Sequence, residues 1–167
     1  MSEWGRRAYG EPCRECDFSW SIDASDAENL VASIPSRLVV SLARASGDER
    51  HPTLTWSVTA YVAHIGDNLR IWAERLAGIA LGGSNVIVSY DDNKLAVARR
   101  YDALGLAGAL WTLERSTRDW LEAVRLAPSD LAMVHPERGT ITLEDIVRSN
   151  SHDAAHHLWD IERSLLR

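Results

Sequence analysis

The sequence predicts an all-α protein that folds as a four-helix bundle, and three observations support this fold class. Apolar side chains recur every three or four residues along four long stretches, which is the period of an amphipathic helix. Only residues 131–140 have the turn sequence and the apolar flanks of a small β-hairpin. The length of 167 residues suits one domain with a sizeable core. Long helices without a sheet bury their apolar faces by packing as a bundle.

The chain divides into a polar arm, residues 1–22, and a bundle domain, residues 23–167. Glycines and a proline interrupt the arm, which we therefore predict to be irregular. Cys13 and Cys16 form a Cys-x-x-Cys pair within it.

The first long helix is predicted to begin at Ser25 or Asp26, both of which are good N-caps, and to close at Gly47. Pro35 lies inside this stretch and weakens the helix. Its apolar residues recur at a spacing of four and are Leu30, Ile34, Leu38 and Leu42.

The second long helix is predicted to be capped by Thr55 and to end at Gly82 and Gly83. Its buried side carries Val58, Val62, Ile65, Leu69, Trp72, Leu76 and Ile79. Residues 84–92 then form a loop with a short extended piece.

A short helix over residues 93–101 precedes the third long helix, which covers residues 104–126 and is ended by Pro128. Glycines near residue 105 affect only where this helix begins. Its buried side carries Leu110, Leu113, Trp120 and Val124.

The last helix opens at Thr142, with Asp145 in the position that Glu or Gln usually takes in a capping box, and it runs to the C-terminus. Leu143, Ile146 and Trp159 are available to the core. Tryptophans at helical spacings are predicted to lie in the core, namely Trp56, Trp72, Trp111, Trp120 and Trp159.

Composition and charge exclude several classes of partner. Hydrophobic residues make up 46% of the chain, the net charge is −6, and both signs of charge are mixed along it. A nucleic-acid partner requires a clustered positive field, which this chain lacks. No apolar stretch is long enough to span a membrane, and the N-terminus has no signal-peptide core, so we expect a cytoplasmic protein without a membrane partner. Two cysteines in that compartment are reduced thiols or metal ligands more often than a disulfide.

Three histidines are the strongest candidates for a functional site. His152 and His156 are four residues apart on the last helix, so their rings lie about 6 Å apart on one face, which is close enough to chelate one metal ion. His64 lies on the second long helix. If these helices face each other, three neutral nitrogens converge and leave coordination positions open. A solvated His-x-x-x-His face and a structural His64 are the alternatives, but the three together favour a metal.

Several segments of the chain form a recognisable set: Trp56, residues 61–67, 90–93 and 99–101, and residues 152–157. Together they resemble the DinB-like, or YfiT-like, superfamily, which includes mycothiol-dependent maleylpyruvate isomerases and bacillithiol S-transferases. The resemblance covers about residues 25–167, and its most specific part is one histidine on the second helix with His-x-x-x-His on the last. It implies a four-helix bundle with a long crossover, and a metal triad on His64, His152 and His156.

Other residues near the triad are candidates for orienting ligands or binding substrate. Asp67 and Asp160 are candidate partners of the metal-bound histidines, and Tyr61 and Asn68, about one turn from His64, are candidates for the pocket wall. Tyr61 in the core and an incidental Asn68 are equally good interpretations.

The turn of about 100° per residue in an α-helix predicts where two further side chains of the last helix point. His157 points about 100° from His156, so we predict that it is a neighbour of the site or an outer partner. Asp153 points about 100° from His152, and we expect it at the surface rather than behind a ligand.

A divalent metal on three neutral ligands, zinc or nickel, lowers the pKa of a bound water or thiol. With a small-molecule thiol such as mycothiol, bacillithiol or glutathione, and an electrophilic substrate, the outcome is S-transfer or isomerisation, which is the function that we expect. The alternatives are a metal-dependent hydrolase and a non-catalytic metal-binding bundle for sensing, stress response or association. The sequence identifies no catalytic residue beyond the ligands, and a homodimer is expected only by analogy with other bundles.

The pair Cys13 and Cys16 resembles half of a zinc knuckle, or a redox dithiol. A closed zinc site needs four ligands, which a second chain, His51 or His135 would have to complete. One thiol reaching the histidine metal and two ordinary reduced cysteines are the remaining interpretations.

Residues 135–139 have turn chemistry, which we favour over a substrate loop at the mouth of the bundle. Arg99, Arg100 and Arg138 are candidates to pair with carboxylates of a thiol cofactor, although solvated positions are the better expectation.

Overall fold

The computed structural model describes residues 5–166, which form a helical bundle with a small β-hairpin and confirm the predicted fold class. Four long helices build the bundle: α2, α3, α5 and α6. In chain order the elements are α1 (Arg6–Tyr9), α2 (Ala24–Ser41), α3 (Val58–Ala80), α4 (Asp92–Ala98), a 3₁₀ turn (Tyr101–Ala103), α5 (Leu106–Leu126), β1 (Ala132–His135), β2 (Gly139–Thr142) and α6 (Leu143–Leu165). Among the described residues, no helix has both the length and the apolar character of a membrane span.

Two predicted helix starts are wrong by two or three residues. Asp23, not Ser25 or Asp26, caps α2, because its carboxylate accepts the backbone N–H of Ser25. Ser57, not Thr55, caps α3. Both stretches contain several possible N-cap residues within a few positions, and tertiary packing decides which of them begins the helix.

The start of α6 is as predicted. The Thr142 side chain accepts the backbone N–H of Asp145, and the Asp145 carboxylate accepts the backbone N–H of Thr142 at 2.9 Å. This reciprocal capping box fixes where α6 begins, and the ligand positions on the helix follow from it.

Helix α2 ends at Ser41 rather than at Gly47. Gly47 lies in the loop that leads to α3, with a φ of 94°, and its carbonyl accepts the backbone N–H of Thr59. A side chain at Gly47 would meet the Thr59 hydroxyl, so glycine is required here by the close approach of the loop to α3.

Helix α3 is the central helix and packs along α5 and against α6, while α2 packs against α5 and α6. The predicted apolar side of α3 is in the core, but burial extends further: every residue from Val58 to Leu69 is buried. The polar residues His64, Asp67 and Asn68 therefore lie inside the bundle, where polar groups require partners.

Two tryptophans of α5 differ in burial. Trp120 is completely buried, and its indole N–H donates to Oδ1 of Asn150 on α6 at 2.9 Å. Trp111 was predicted to lie in the core but is 61% exposed. It is one residue from Leu110, about 100° around the helix, on the side that the other helices do not cover.

The predicted hairpin over residues 131–140 is present, with Ala132 paired to Thr142 and His135 to Gly139. The predicted extended piece is also present, because Val86 forms a parallel bridge to Val134 of β1. The hairpin and this loop therefore lie side by side.

Candidate metal centres

Helix α6 carries two interleaved pairs of side chains spaced four residues apart. One pair is His152 and His156, and the other is Asp153 and His157. An offset of one residue rotates the second pair by about 100° around the helix axis. The two pairs therefore face different parts of the protein.

Each pair meets its own partners, so the described residues offer two groups of metal-ligand atoms. The carboxylate centre consists of His64, Asp153 and His157, and the cysteine centre consists of Cys13, Cys16, His152 and His156. Within each group the ligand atoms lie within 4.8 Å of one another.

The predicted triad of His64, His152 and His156 is thus divided between the two centres. The pair on α6 that faces His64 is Asp153 and His157. Asp153, which was expected at the surface, is partly buried and belongs to the carboxylate centre. A sequence signal for it exists, because Asp153 and His157 have the same helical spacing as the two histidines.

The carboxylate centre converges on one oxygen of Asp153. Oδ1 lies 3.5 Å from Nε2 of His64 and 3.6 Å from Nε2 of His157. Oδ2 accepts a hydrogen bond from the side-chain amide of Asn68 at 2.8 Å. Asn68 therefore orients the carboxylate, so that one oxygen faces both imidazoles.

The Asp153 carboxylate dominates the electrostatics of this centre. Burial would lower the pKa of His64, which is only 4% exposed, but the Asp153 carboxylate outweighs it and raises the pKa above its usual range. Burial would raise the pKa of Asp153, but His64 and His157 lower it far below its usual range. Asp153 is therefore ionised at neutral pH and available as a ligand.

His157 has an outer carboxylate partner, as was proposed for Asp160. Nδ1 of His157 lies 3.0 Å from Oδ2 of Asp160, and Arg163 donates to Oδ1 of Asp160 at 2.8 Å. This contact holds the opposite ring nitrogen, Nε2, toward Asp153. The ring of Tyr61 lies beside that of His157, with a centroid separation of 5.2 Å.

Asp67 does not contact a metal-ligand candidate through any hydrogen bond in the described part of the chain. Its buried carboxylate accepts from the Tyr101 hydroxyl at 2.7 Å and pairs with Arg99 at 2.6 Å and Arg70 at 3.4 Å. Arg99, considered as a ligand for cofactor carboxylates, is thus engaged by Asp67. The network ties α3 to the segment that follows α4.

We expect Asp160→Asn to weaken metal binding at the carboxylate centre by about 10–100-fold, because an amide polarises His157 less than a carboxylate does. Competition of the loaded protein with a chelator measures the affinity. Glu162→Gln is the matched control, since Glu162 is exposed on the same helix. Equal affinities in both variants would show that Asp160 does not support the ligand.

A cavity of about 190 Å³ adjoins the carboxylate centre, with His64 and Asp153 in its wall. Arg75 and Arg138 also line it, and burial lowers the pKa of both guanidinium groups. Tyr90, also in the wall, lies under the Arg75 guanidinium at 5.6 Å from the ring centroid. The cavity therefore combines a potential cation site with two cationic side chains and two further carboxylates, those of Asp92 and Glu137.

The sequence indicated only part of this wall. Arg138 was considered as a partner for carboxylates, and its segment, residues 135–139, forms the predicted turn and also lines the cavity. Tyr90 was named only within residues 90–93 of the family resemblance, and Arg75 was not identified, because nothing in a sequence places a helical arginine beside His64. Arg100, the other candidate, is exposed and has a φ of 53°.

The cysteine centre is built by a turn of the arm. The backbone N–H of Cys13 donates to the carbonyl of Phe18 at 2.8 Å, and that of Asp17 donates to the carbonyl of Cys13 at 3.0 Å. Sγ of Cys13 lies 3.8 Å from Nδ1 of His156. The thiol of Cys13 therefore lies beside a histidine of α6.

Comparisons with known proteins agree with the fold. The family model described as the DinB superfamily matches residues 36–161. YfiT from Bacillus subtilis, described as a probable metal-dependent hydrolase with an unusual four-helix bundle topology, superposes with a TM-score of 0.73 at 19% identity, over 86% of this chain and 88% of YfiT. At this identity the similarity concerns the fold. The search of curated proteins gave no match.

Proposed function

The chain belongs to the DinB superfamily, and we propose that it is a divalent-metal-dependent enzyme whose ion binds His64, Asp153 and His157. The observation that carries this proposal is the convergence of two imidazoles on one carboxylate oxygen at the wall of a cavity. Three protein ligands leave the remaining coordination positions to substrate or water, which is typical of catalytic rather than structural sites.

The residues fit such an ion. Metal–ligand distances of about 2.0–2.2 Å bring neighbouring ligand atoms to about 3.0–3.5 Å from each other. The contacts of Asp153 with His64 and His157, at 3.5 and 3.6 Å, are close to this range. Two nitrogens with one oxygen form a donor set that suits several first-row divalent metals. Zinc and nickel both remain proposals.

The carboxylate changes the chemistry that three neutral ligands would give. A divalent metal bound there acts as a Lewis acid and lowers the pKa of a coordinated water or thiol. Because Asp153 brings a negative charge, this effect is weaker than with three histidines. The cations Arg75 and Arg138 share the cavity wall with the carboxylates Asp92 and Glu137, so an incoming ligand meets both signs of charge.

We propose a low-molecular-weight-thiol S-transferase or isomerase, of the mycothiol type, as the reaction class. The cavity is small, below the roughly 300–1,000 Å³ of drug-sized ligand sites, so it suits the reactive end of a thiol or a small electrophile. Arg75 and Arg138 would bind a carboxylate of either reactant. Metal-dependent hydrolysis is the second candidate, because the superposed YfiT is described as a probable metal-dependent hydrolase.

Turnover of a panel of small electrophilic acids tests the proposal. Protein loaded with zinc or nickel is assayed with mycothiol, bacillithiol, glutathione or no thiol, and chelator-treated protein is the control. We expect turnover only where metal and thiol are both present. Metal-dependent turnover of ester or amide substrates without thiol would indicate the hydrolase instead. Bound metal without any turnover would favour the non-catalytic bundle.

A further inference from the structure

We propose that Cys13, Cys16, His152 and His156 bind a second metal ion, a structural zinc that fastens the N-terminal arm to helix α6. This site is separate from the proposed catalytic centre and does not depend on that function. Its cysteines lie outside residues 36–161, the part of the chain that the family model matches. The arm therefore supplies two of the four ligands, and the matched region supplies the other two, His152 and His156.

The donor set is that of a closed zinc site. Two thiolates and two imidazoles provide four ligands, which complete a tetrahedron and leave no position for substrate. The spacings are Cys-x-x-Cys on the arm and His-x-x-x-His on α6. Both spacings occur in structural Cys₂His₂ sites.

The geometry needs only a small contraction. In a tetrahedral site with zinc–nitrogen distances of about 2.0–2.1 Å and zinc–sulfur distances of about 2.3 Å, ligand atoms lie about 3.3–3.8 Å apart. Sγ of Cys13 already lies 3.8 Å from Nδ1 of His156. All four ligand atoms lie within 4.8 Å of one another.

A buried imidazole nitrogen of His152 has no hydrogen-bond partner among the described residues, which indicates that it binds a metal ion. The nitrogen is Nε2, and His152 is only 5% exposed. A buried polar atom of this kind requires an explanation, and a bound ion is one of the few available. A disulfide between Cys13 and Cys16 would leave this nitrogen as it is, whereas a metal would engage it together with both sulfurs.

Aromatic rings cover the His152 side of the site, whereas Cys16 and His156 are partly exposed. The ring of His152 lies 4.4 Å from that of Trp20, 4.5 Å from that of Tyr9 and 5.4 Å from that of Phe18, measured between centroids. Cys13 is 1% exposed. An apolar shell of this type is typical of closed structural sites, since it controls solvent access to the metal.

His156 also has the outer partner that metal-bound histidines use. Its Nδ1 faces Cys13, and its Nε2 lies 3.2 Å from a carboxylate oxygen of Glu15. A ring that binds metal through one nitrogen donates through the other to a carboxylate. Glu15 lies between the two cysteines, so the same turn supplies both the sulfurs and this carboxylate.

Cobalt substitution tests the site directly. Protein stripped of metal under reducing conditions is refilled with Co²⁺, and its near-ultraviolet and visible absorption is recorded. We expect the sulfur-to-cobalt charge-transfer band and the intense visible bands of a tetrahedral thiolate site. His64→Ala should keep these bands, because it alters only the carboxylate centre. Cys13→Ser/Cys16→Ser should lose them, and Cys16→Ser should weaken the charge-transfer band, because the Cys13 thiolate remains.

Zinc content and proteolysis provide readouts that do not depend on activity. The double cysteine variant should bind about one equivalent of zinc less than the wild type, and His51→Ala, outside both centres, should bind the same amount. Arg6, Arg7 and Arg14 are exposed on the arm, so trypsin should cut it faster in the variant and in chelated protein than in zinc-loaded protein.

Three results would overturn the proposal: no thiolate band in the reduced wild type, unchanged zinc content in the cysteine variants, or a Cys13–Cys16 disulfide in protein kept with reductant. Because Cys16→Ser is a single change on a partly exposed residue of the arm, it keeps the test valid if the double variant folds poorly.

Discussion

Replacing His64 with alanine is expected to empty the carboxylate centre and to reduce turnover by more than the roughly 10–100-fold that loss of an outer partner costs. His64 is the ligand that α3 contributes, and Asp153 and His157 both come from α6. Without it, the two remaining ligands come from one helix turn and cannot enclose an ion from two sides. Turnover and metal content, measured together on the same preparation, check this expectation.

His64 is buried, so the variant must be separated from a general loss of folding. His64→Gln keeps more of the side-chain volume and should lose metal equally, because an amide is a poor ligand for zinc or nickel. His51→Ala is the matched control, since that ring contacts Thr53 and lies in neither centre. Full activity in either His64 variant would show that the reaction does not use the carboxylate centre.

Trp120→Ala is expected to lower the free energy of unfolding by about 3–5 kcal/mol, the usual cost of removing a buried aromatic side chain. Trp120 is completely buried between the helices. Its indole also donates to the buried amide of Asn150, and removal leaves that acceptor unpaired. Asn150 lies on α6 just before the ligands, so this contact helps to hold the ligand-bearing helix against α5. Urea denaturation measures the change.

Two variants calibrate this prediction. Trp111→Ala, at an exposed position on the same helix, should change the free energy of unfolding by no more than about 0.5 kcal/mol. Trp120→Phe should cost less than Trp120→Ala, because it keeps most of the apolar volume and loses the hydrogen bond. Similar effects of Trp111→Ala and Trp120→Ala would contradict the assigned core.

Local patterns in the sequence were sufficient to predict the fold class. The period of apolar residues located all four long helices, and the capping residues Thr142 and Asp145 located the start of α6 to the residue. The starts of α2 and α3 were predicted less well, because several possible N-cap residues lie close together near Ser25 and near Thr55. These signals act between residues close in sequence, so no tertiary information is needed to use them.

The sequence by itself determined the bundle, the family resemblance and the candidate ligands on α6, since each depends on residue types and on helical spacing. The rotation of α6 was decided only by the tertiary structure, and with it the partner of each pair. Asp153 and His157 face His64, while His152 and His156 face the cysteines of the arm. Both pairs have identical spacing and both faces are covered, so periodicity does not distinguish them. The contacts of the arm with α6 and the packing of α3 against α6 determine which pair faces His64 and which faces the cysteines.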